Sequence, residues 1–529
     1  MDNETELVLL GLLVAVPAFA VLARALDVPY PIVLVIGALP LGFIPGMPEV
    51  ELDPDLVLVI FLPPLLYVAS FFANLRDLRR DARPIGLLAI GLVALTTVAV
   101  AVAAHFLIDG LPWAAAFALG AIVSPTDPLA ATAIARRLGA PRRWVGIIEG
   151  ESLINDATAL ILYRVAVAAA VGGTFSALDA SLEFVASVAG GIAIGLVVGY
   201  LVSRIRARLE DPPVEITISL FTGYAAYLPA EELGASGVLA AVTAGVYLGW
   251  LAPRISSANV RMQSTAVWEF IVFLFNGVLF MLVGLQLPSI LEDLDGNGTG
   301  ELIGYAAAIC AVVVAARFAW LFTVPYLIRS LDRRPSQVER RVGGSERLAA
   351  SWAGMRGAVT LAAALALPLT TDAGEPFPER DLLIFLAYAV VVFTVVGQGL
   401  TLPALMRRLD IVDDGKDEET EELLARVAAS DAAIARLDEL ADADWTRPDT
   451  VDRVRRSYGF RRSRFAARTG EIEDRDYERR SQSYQRLLHE VIQAQREVLL
   501  RLRDDGEISG EVMRRVEREL DLEENRLEI

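Results

Sequence analysis

Long apolar runs separated by short polar connections occupy about the first three quarters of the chain. A helix needs about 20 mostly apolar residues to cross the ~30 Å hydrocarbon core of a membrane. Such runs follow one another from Leu7 to about Met406, and none occurs beyond Arg407. The pattern therefore predicts an all-α integral membrane protein with about 13 transmembrane helices. The expected spans are residues 7–25, 29–46, 55–73, 84–108, 112–135, 142–171, 179–204, 214–230, 234–251, 266–289, 301–328, 347–370 and 381–406.

The connections between these runs alternate between two charge classes. Positively charged loops stay on the cytoplasmic side of a membrane. The alternation therefore puts the N-terminus outside the cell and the C-terminus in the cytoplasm. The first apolar run follows an acidic segment, MDNETE, which lacks the basic region of a signal peptide, so we expect the run to be retained. Basic connections are residues 74–83, 135–143, 203–210, 252–261 and 329–341, and acidic or neutral ones are 48–55, 231–233, 292–301 and 371–381.

The residues after the last run have a different composition. They are polar and rich in arginine, and residues 483–520 carry apolar positions at helical spacing. Residues 410–529 hold a net charge of −10 out of −18 for the whole chain. We therefore divide the protein into a transmembrane domain, residues 1–408, and a cytoplasmic helical tail, residues 409–529, with an interaction or regulatory role.

The sequence lacks the motifs of ATP-driven pumps and of intramembrane hydrolases. Its single lysine is Lys416, so no Gly-x-x-x-x-Gly-Lys phosphate loop exists. The two histidines, His105 and His489, form no His-Glu-x-x-His motif, and no Gly-x-Ser-x-Gly occurs. We expect no enzyme activity, no cofactor and no nucleic-acid partner. Three function classes remain: a carrier driven by ion gradients, a cation channel, and a membrane sensor that signals through its tail.

The fifth run is interrupted by the sequence SPTDP at residues 124–128. Its two prolines flank Thr126 and Asp127, lack backbone N–H groups and disfavour helix before them. The run should break into two half-helices, and such backbone is tolerated in a membrane only when it lines a cavity or is buried in protein. A broken helix with an acidic residue is typical of ion-coupled transporters. Alternatively, Asp127 only offsets the dipole of the second half-helix.

The sixth run contains polar residues on one helical face. Ser152, Asn155 and Asp156 stand at i, i+3 and i+4, and Glu151 lies four residues before Asn155. Carboxylate, hydroxyl and carbonyl oxygens suit a hard cation such as sodium. The alternative is a polar seam between two helices.

The twelfth run contains an arginine, Arg356, between Gly354 and Gly357. A buried guanidinium group requires a counter-charge. Glu151 and Asp127 are the candidates, and we expect Arg356 to hold helices together around the site.

The three motifs SPTDP, GESLIND and WAGMRGAVTLA together resemble the monovalent cation:proton antiporter family, which includes bacterial sodium/proton antiporters and animal sodium/proton exchangers. The resemblance extends over about residues 5–408. It implies two inverted six-helix repeats, spans one to six and eight to thirteen, with discontinuous fifth and twelfth helices that cross at mid-membrane. It also implies a homodimer in the cytoplasmic (inner) membrane.

The same resemblance assigns roles to residues of the site. Asp156 would bind either a sodium ion or a proton, with Asn155 as its companion. Ser152 and Thr126 would supply further oxygen ligands for sodium. Asp127 would belong to the same crossing and is counted among the ion- and proton-binding residues.

The resemblance also pairs Glu151 with Arg356 to stabilise the helix bundle. One departure concerns Val68, near which many relatives carry an acidic residue and this chain has none. That difference bears on the pH dependence of transport. The function that we expect is electroneutral exchange of one sodium ion, or lithium or potassium, for one proton by alternating access.

Overall fold

The computed structural model describes residues 3–44, 57–173, 177–292, 294, 298–331, 342–411, 416–469 and 477–525. The acidic connection 48–55 and residues 332–341 of a basic connection lie outside these ranges. Contacts divide the chain into two units, Met1–Asp413 and Asp414–Ile529. The described residues are helical and form no sheet, apart from an isolated bridge between Thr370 and Pro376.

Long apolar helices dominate the first unit. Within the described ranges, 7 helices are long and apolar enough to cross a membrane. The prediction of an all-helical, multi-span membrane protein is therefore confirmed, whereas the number 13 and the inverted repeats stay predictions. The α-helices are Asn3–Leu26, Tyr30–Ala38, Leu62–Phe72, Leu75–Arg80, Ala82–Gly86, Val93–Leu107, Trp113–Val123, Leu129–Arg137, Arg142–Gly172, Ala177–Arg206, Pro212–Glu232, Gly237–Ile255, Ala258–Leu285, Leu287–Glu292, Thr299–Leu331, Gly344–Trp352, Ala358–Leu365, Arg380–Val392 and Gly399–Arg408.

Three π-helical segments extend or join these helices: Val57–Phe61, Leu87–Leu92 and Phe393–Gln398. The second joins two α-helices into a continuous span, Ala82–Leu107, and the third does the same in Arg380–Arg408. A wider turn leaves a local irregularity in the backbone without ending the helix.

Two of the apolar runs within the described ranges are interrupted near their middle. The first broken helix consists of Trp113–Val123 and Leu129–Arg137, with the interruption where the two prolines predicted it. The second broken helix consists of Gly344–Trp352 and Ala358–Leu365, interrupted at residues 353–357.

The two interruptions contact each other through reciprocal hydrogen bonds. The amide of Asp127 donates to the carbonyl of Met355 at 2.8 Å, and Nε of Arg356 donates to the carbonyl of Val123 at 3.0 Å. Backbone groups freed by a break must find partners inside the protein because lipid offers none. Each break therefore satisfies polar groups of the other.

The crossing leaves no space for a side chain at Gly357. A Cβ atom there would lie 1.9 Å from Oδ2 and 2.7 Å from Cβ of Asp127. The backbone of Gly357 is extended, with φ of −128°, so close approach and not an unusual dihedral angle requires the glycine. Small residues allow helices in membranes to approach closely.

A large apolar cluster packs around the helices that form the crossing. It contains buried residues from the helix Val93–Leu107, from both broken helices and from Arg380–Val392. Many of them are alanines, which permit close packing of helix backbones. Representative members are Ala101, Leu119, Ile122, Leu361 and Leu383.

The second unit has four described helices, Lys416–Leu440, Pro448–Arg468, Tyr477–Asp504 and Gly510–Asn525. The first two share a small apolar core that includes Val427 and Phe465. The last two are joined by Arg496, which binds Asp521 at 2.6 Å and Glu524 at 2.5 Å. The segment 483–520 predicted to be helical therefore forms parts of two helices, separated by a short turn.

Candidate functional site

The helix Arg142–Gly172, here called the carboxylate helix, contacts the break of the first broken helix through Asn155. Nδ2 of Asn155 donates to Oγ1 of Thr126 at 2.9 Å and to the carbonyl of Thr126 at 3.2 Å. A carbonyl only accepts, so the nitrogen of the amide must face Thr126. Oδ1 of Asn155 is buried and has no hydrogen-bond partner. This oxygen therefore has lone pairs available to a cation.

Asp156 and Ser152 lie on the same helix beside Asn155. Asp156 is 9% exposed and Ser152 is 7% exposed, so both side chains are buried in the protein. Burial in a low-dielectric environment disfavours a charged carboxylate, so uptake of a cation or a proton by Asp156 would offset that cost.

Asp127 also caps the second half of the first broken helix. Its Oδ1 accepts a hydrogen bond from the amide of Leu129 at 2.9 Å. A carboxylate at a helix N-terminus stabilises the free amides and opposes the helix dipole. The structure thus gives Asp127 the contact expected of a helix cap and brings it into the same crossing as Thr126.

The partner of Glu151 differs from the one that the sequence analysis predicted. Arg317, on the helix Thr299–Leu331, binds both carboxylate oxygens of Glu151, with Nη1–Oε1 at 2.5 Å and Nη2–Oε2 at 3.0 Å. Both side chains are buried, and we call Thr299–Leu331 the arginine helix. The predicted pairing of Glu151 with Arg356 is corrected to a pairing with Arg317.

Arg356 instead binds backbone groups at the breaks. Its guanidinium donates to the carbonyls of Val123 and Gly354, and its amide donates to Oγ1 of Thr394 at 3.0 Å. Carbonyls released from helical hydrogen bonding accept from the guanidinium, which explains why Arg356 makes these contacts without a bidentate carboxylate. Its predicted role in holding helices together agrees with these contacts.

Arg317 was not among the site residues predicted from the sequence. Its signal in the sequence is a lone arginine in the apolar stretch AARFAWLF, the same signal that identified Arg356. The choice between two buried arginines as partner of one glutamate depends on how the helices pack.

Glu151 connects the ion pair to the site. Oγ1 of Thr126 donates to Oε1 of Glu151 at 3.2 Å and accepts from Asn155. A continuous chain of hydrogen bonds therefore runs from Arg317 through Glu151 and Thr126 to Asn155. The hydroxyl of Thr126 donates to Glu151 and the amide nitrogen of Asn155 makes two hydrogen bonds, so the chain fixes the orientation of the Asn155 amide and leaves Oδ1 available.

The possible cation ligands at the crossing include few charged groups. Among the described residues, no three or more histidine, cysteine, aspartate or glutamate side chains group together to hold a metal ion. The crossing offers the carboxylates of Asp127 and Asp156 together with neutral oxygens of Ser152, Asn155 and Thr126. Carboxylate, hydroxyl and amide oxygens are the ligands that hard cations prefer.

Comparisons with known proteins identify relatives over almost the whole chain. The family model described as "Sodium/hydrogen exchanger, transmembrane" matches residues 10–408. An "Uncharacterized Na(+)/H(+) exchanger" of Mycobacterium tuberculosis is 38% identical over 523 residues, covering 98% of this chain and 96% of the relative. The "Uncharacterized Na(+)/H(+) exchanger YjcE" of Escherichia coli is 32% identical over 556 residues, covering 99% of this chain and 98% of the relative.

A second group of relatives carries names that state several cations. A "Sodium, potassium, lithium and rubidium/H(+) antiporter" of Bacillus pumilus is 34% identical over 420 residues, covering 77% of this chain and 62% of the relative.

The fold is similar to that of a solved antiporter. The sodium proton antiporter MjNhaP1 from Methanocaldococcus jannaschii superposes with a TM-score of 0.60 at 18% identity, covering 77% of this chain and 99% of that one. This similarity shows that the helices of the first unit are arranged as in a known antiporter fold. With the match of the family model to residues 10–408, the chain belongs to the sodium/hydrogen exchanger family of membrane transporters.

Proposed function

We propose that the protein exchanges Na⁺, or Li⁺ or K⁺, for H⁺ across the cytoplasmic membrane, with Asp156 binding either ion. The observation that carries the proposal is the unpaired, buried Oδ1 of Asn155, the residue that directly precedes the buried Asp156 on the carboxylate helix. Relatives named as exchangers of sodium or of several monovalent cations for protons support it over a sensor or a channel.

In the proposed cycle, the deprotonated carboxylate of Asp156 binds the cation. Asn155 contributes Oδ1, and Ser152 and Thr126 contribute further oxygens. Protonation of Asp156 removes the charge that holds the cation, so the two ions bind in alternation. Alternating access then exposes the site to each side of the membrane in turn. The gradient of one ion drives the other, and we expect no cofactor.

The exchange is one-for-one in this proposal because a single carboxylate carries either one cation or one proton. Asn155 adds no charge, and Asp127 keeps one oxygen on the amide of Leu129. We therefore assign Asp127 to shaping the crossing and to the local potential. Equal charge in the two loaded states makes the exchange electroneutral.

The proposed architecture has 13 spans in two inverted repeats, with the N-terminus outside the cell. The two broken helices fall in the fifth and twelfth apolar runs of the sequence, which supports the repeat arrangement. Residues 409–529 form a cytoplasmic regulatory tail in this proposal. We also propose a homodimer, as the family resemblance implies, with a role in pH homeostasis.

Proton flux in proteoliposomes tests the function. Purified protein is reconstituted, a pH step is imposed, and flux is recorded with Na⁺, Li⁺ and K⁺ in turn. Cation-dependent proton flux without electrical conductance is the expected result. Conductance would indicate a channel, and absence of flux for all three ions in folded protein would overturn the proposal.

A further inference from the structure

A cavity of about 330 Å³ lies outside the proposed ion site, between the carboxylate helix, the arginine helix, the segment that begins the span Ala82–Leu107 and the first half of the second broken helix. The ion pair between Glu151 and Arg317 forms part of its wall. Charged side chains on the lining are Arg83, Arg143, Arg317, Arg347, Glu151 and Glu346. Arginines thus outnumber glutamates by two.

Arg347 lines this cavity and has a guanidinium nitrogen without a hydrogen-bond acceptor. It is 8% exposed, and its Nη1 is buried without a hydrogen-bond partner. Its Nε donates to the carbonyl of Gly343 at 3.3 Å, and its guanidinium lies 5.1 Å from the ring centre of Tyr326 and 5.8 Å from that of Phe322. None of these contacts gives Nη1 a negatively charged hydrogen-bond acceptor. A buried charged donor without an acceptor is costly, so an anion at this place would be stabilised.

Two of the other arginines that line the cavity already have carboxylate partners within the protein. Arg317 is bidentate to Glu151. Arg143 donates from Nε and Nη2 to Oδ1 of Asp81 at 3.1 and 2.7 Å. Since Arg317 and Arg143 are already paired, Arg347, with its unpaired Nη1, is the group that we expect a bound anion to contact.

The rest of the cavity is apolar. Leu88, Trp320, Leu321 and Val324 form walls beyond the arginines. On the arginine helix, Leu327 is 60% exposed, as suits a surface that meets acyl chains. A small inorganic anion would leave the apolar walls in contact with water, whereas an amphiphile covers them and also reaches Arg347.

The position of the cavity suits a membrane lipid. Arg83 and Arg143 belong to basic connections, which lie on the cytoplasmic side in the orientation proposed above. Basic pockets between membrane helices on that side bind anionic lipid headgroups. Arginine binds phosphate with bidentate hydrogen bonds and tolerates partial burial.

We propose that this cavity is a binding site for an anionic phospholipid of the cytoplasmic leaflet. The phosphate receives hydrogen bonds from Arg347, including its Nη1, and an acyl chain lies along Leu88, Trp320 and Val324. The inference uses the proposed orientation of the membrane unit but not the ion-binding role of Asp156. A failure of lipid binding would therefore leave the exchange proposal untouched.

Phosphatidylglycerol is the probe, added to delipidated full-length protein in detergent, and native mass spectrometry counts the lipids retained per chain. Arg347→Gln removes the charge, and Ala350→Phe fills the cavity without changing charge, since Ala350 lines it. Arg347→Gln should weaken the binding of one phosphatidylglycerol by about tenfold, the size expected for one charge-assisted hydrogen bond. Ala350→Phe should also weaken it, because the added ring occupies the space of the lipid. Phosphatidylcholine, which has no net charge, should bind more weakly than phosphatidylglycerol.

Arg254→Gln is the matched control. Arg254 lies in another basic connection and also stacks on an aromatic ring, Trp250, but it does not line the cavity. Its replacement should leave phosphatidylglycerol binding unchanged, which separates the cavity from a general attraction of lipid to basic loops. Equal loss in Arg254→Gln and Arg347→Gln would overturn the proposal, as would full binding in folded Ala350→Phe. Displacement of the lipid by an equal concentration of inorganic phosphate would assign the site to a soluble anion and overturn the lipid assignment.

Discussion

Arg317 and Glu151 form a bidentate ion pair between the arginine helix and the carboxylate helix, with both side chains at most 3% exposed. The same glutamate accepts a hydrogen bond from Thr126 in the break of the first broken helix. The ion pair therefore joins three helices at one carboxylate. Its removal should affect stability first and ion binding second.

Arg317→Ala leaves the carboxylate of Glu151 buried without its counter-charge. We expect a loss of about 3–5 kcal/mol in the free energy of unfolding, the range observed when one member of a buried pair is removed. Thermal denaturation of purified protein in detergent measures it. The double variant with Glu151→Gln should recover part of the loss.

Arg356→Ala is the control for this pairing, because Arg356 bonds backbone carbonyls. Glu151→Gln should not rescue it. Rescue of Arg356→Ala but not of Arg317→Ala would mean that Glu151 pairs with Arg356 in the functional protein.

Asp156→Asn should abolish exchange and leave the fold intact, because the substitution keeps the size of the side chain and removes the group that gains and loses a proton. Proton flux in proteoliposomes, together with an unchanged elution profile, measures both parts. Asp127→Asn is the matched control, since an amide oxygen still accepts from Leu129. We expect it to exchange ions with weaker cation affinity. Sodium-driven flux in folded Asp156→Asn would refute the assignment of the binding carboxylate.

Gly357→Ala should strongly destabilise the crossing of the broken helices. The added Cβ would overlap Asp127, whose own backbone is held by the hydrogen bond to Met355. Gly344→Ala provides the control because nothing lies within 4 Å of a Cβ there. Expression yield and melting temperature should fall for Gly357→Ala alone. Equal stability of the two variants would show that the crossing is looser than the contact distances indicate.

Competition between sodium and protons at Asp156 predicts how sodium affinity varies with pH. Where protons occupy most sites, the fraction of deprotonated carboxylate falls tenfold per pH unit, so the sodium concentration for half-maximal flux should rise by about tenfold as pH falls by one. The measurement covers pH 6 to 8 and is repeated with an imposed membrane potential. A half-saturation concentration independent of pH contradicts a shared site. A rate that follows the potential contradicts one-for-one exchange.

Truncation after Asp413 should leave exchange intact and change its dependence on pH or on a partner. The cut follows the boundary between the two units, and every proposed site residue precedes it. It retains Ile411, which is buried in an apolar cluster with Met406. A truncation after Arg408 serves as the control and should be less stable because Ile411 is lost. Loss of exchange at every pH in the folded Asp413 truncation would make the tail part of the transport cycle.

Local chemistry in the sequence predicted the first helix break and the helix that carries Ser152, Asn155 and Asp156. Proline lacks a backbone donor wherever it occurs, so SPTDP located the first break without knowledge of the fold. Helical periodicity likewise put Ser152, Asn155 and Asp156 on one face. Both features depend only on neighbours in the chain.

Three features of the site depend on how the helices pack against each other, and local sequence patterns did not predict them. The second break contains no proline, and its location came only from the family resemblance. In the structure, residues 353–357 meet the first break, and Met355 accepts the amide of Asp127. The choice of Arg317 as the partner of Glu151 also depends on contacts between helices far apart in sequence. The bond from Asn155 to Thr126, which leaves Oδ1 unpaired, is a third feature of this kind.

The bond between Asp127 and Met355 also has a consequence for biosynthesis. The two residues are more than two hundred positions apart, so a ribosome adding about 5–20 residues per second makes Asp127 roughly 10–45 s before its acceptor exists. During that interval the first break enters the bilayer without the backbone partner that satisfies it later. The protein therefore depends most on the insertion machinery while only its N-terminal half has been synthesised. Chains that stop before Met355 should be recognised and degraded, even though they already contain Asp127, Asn155 and Asp156.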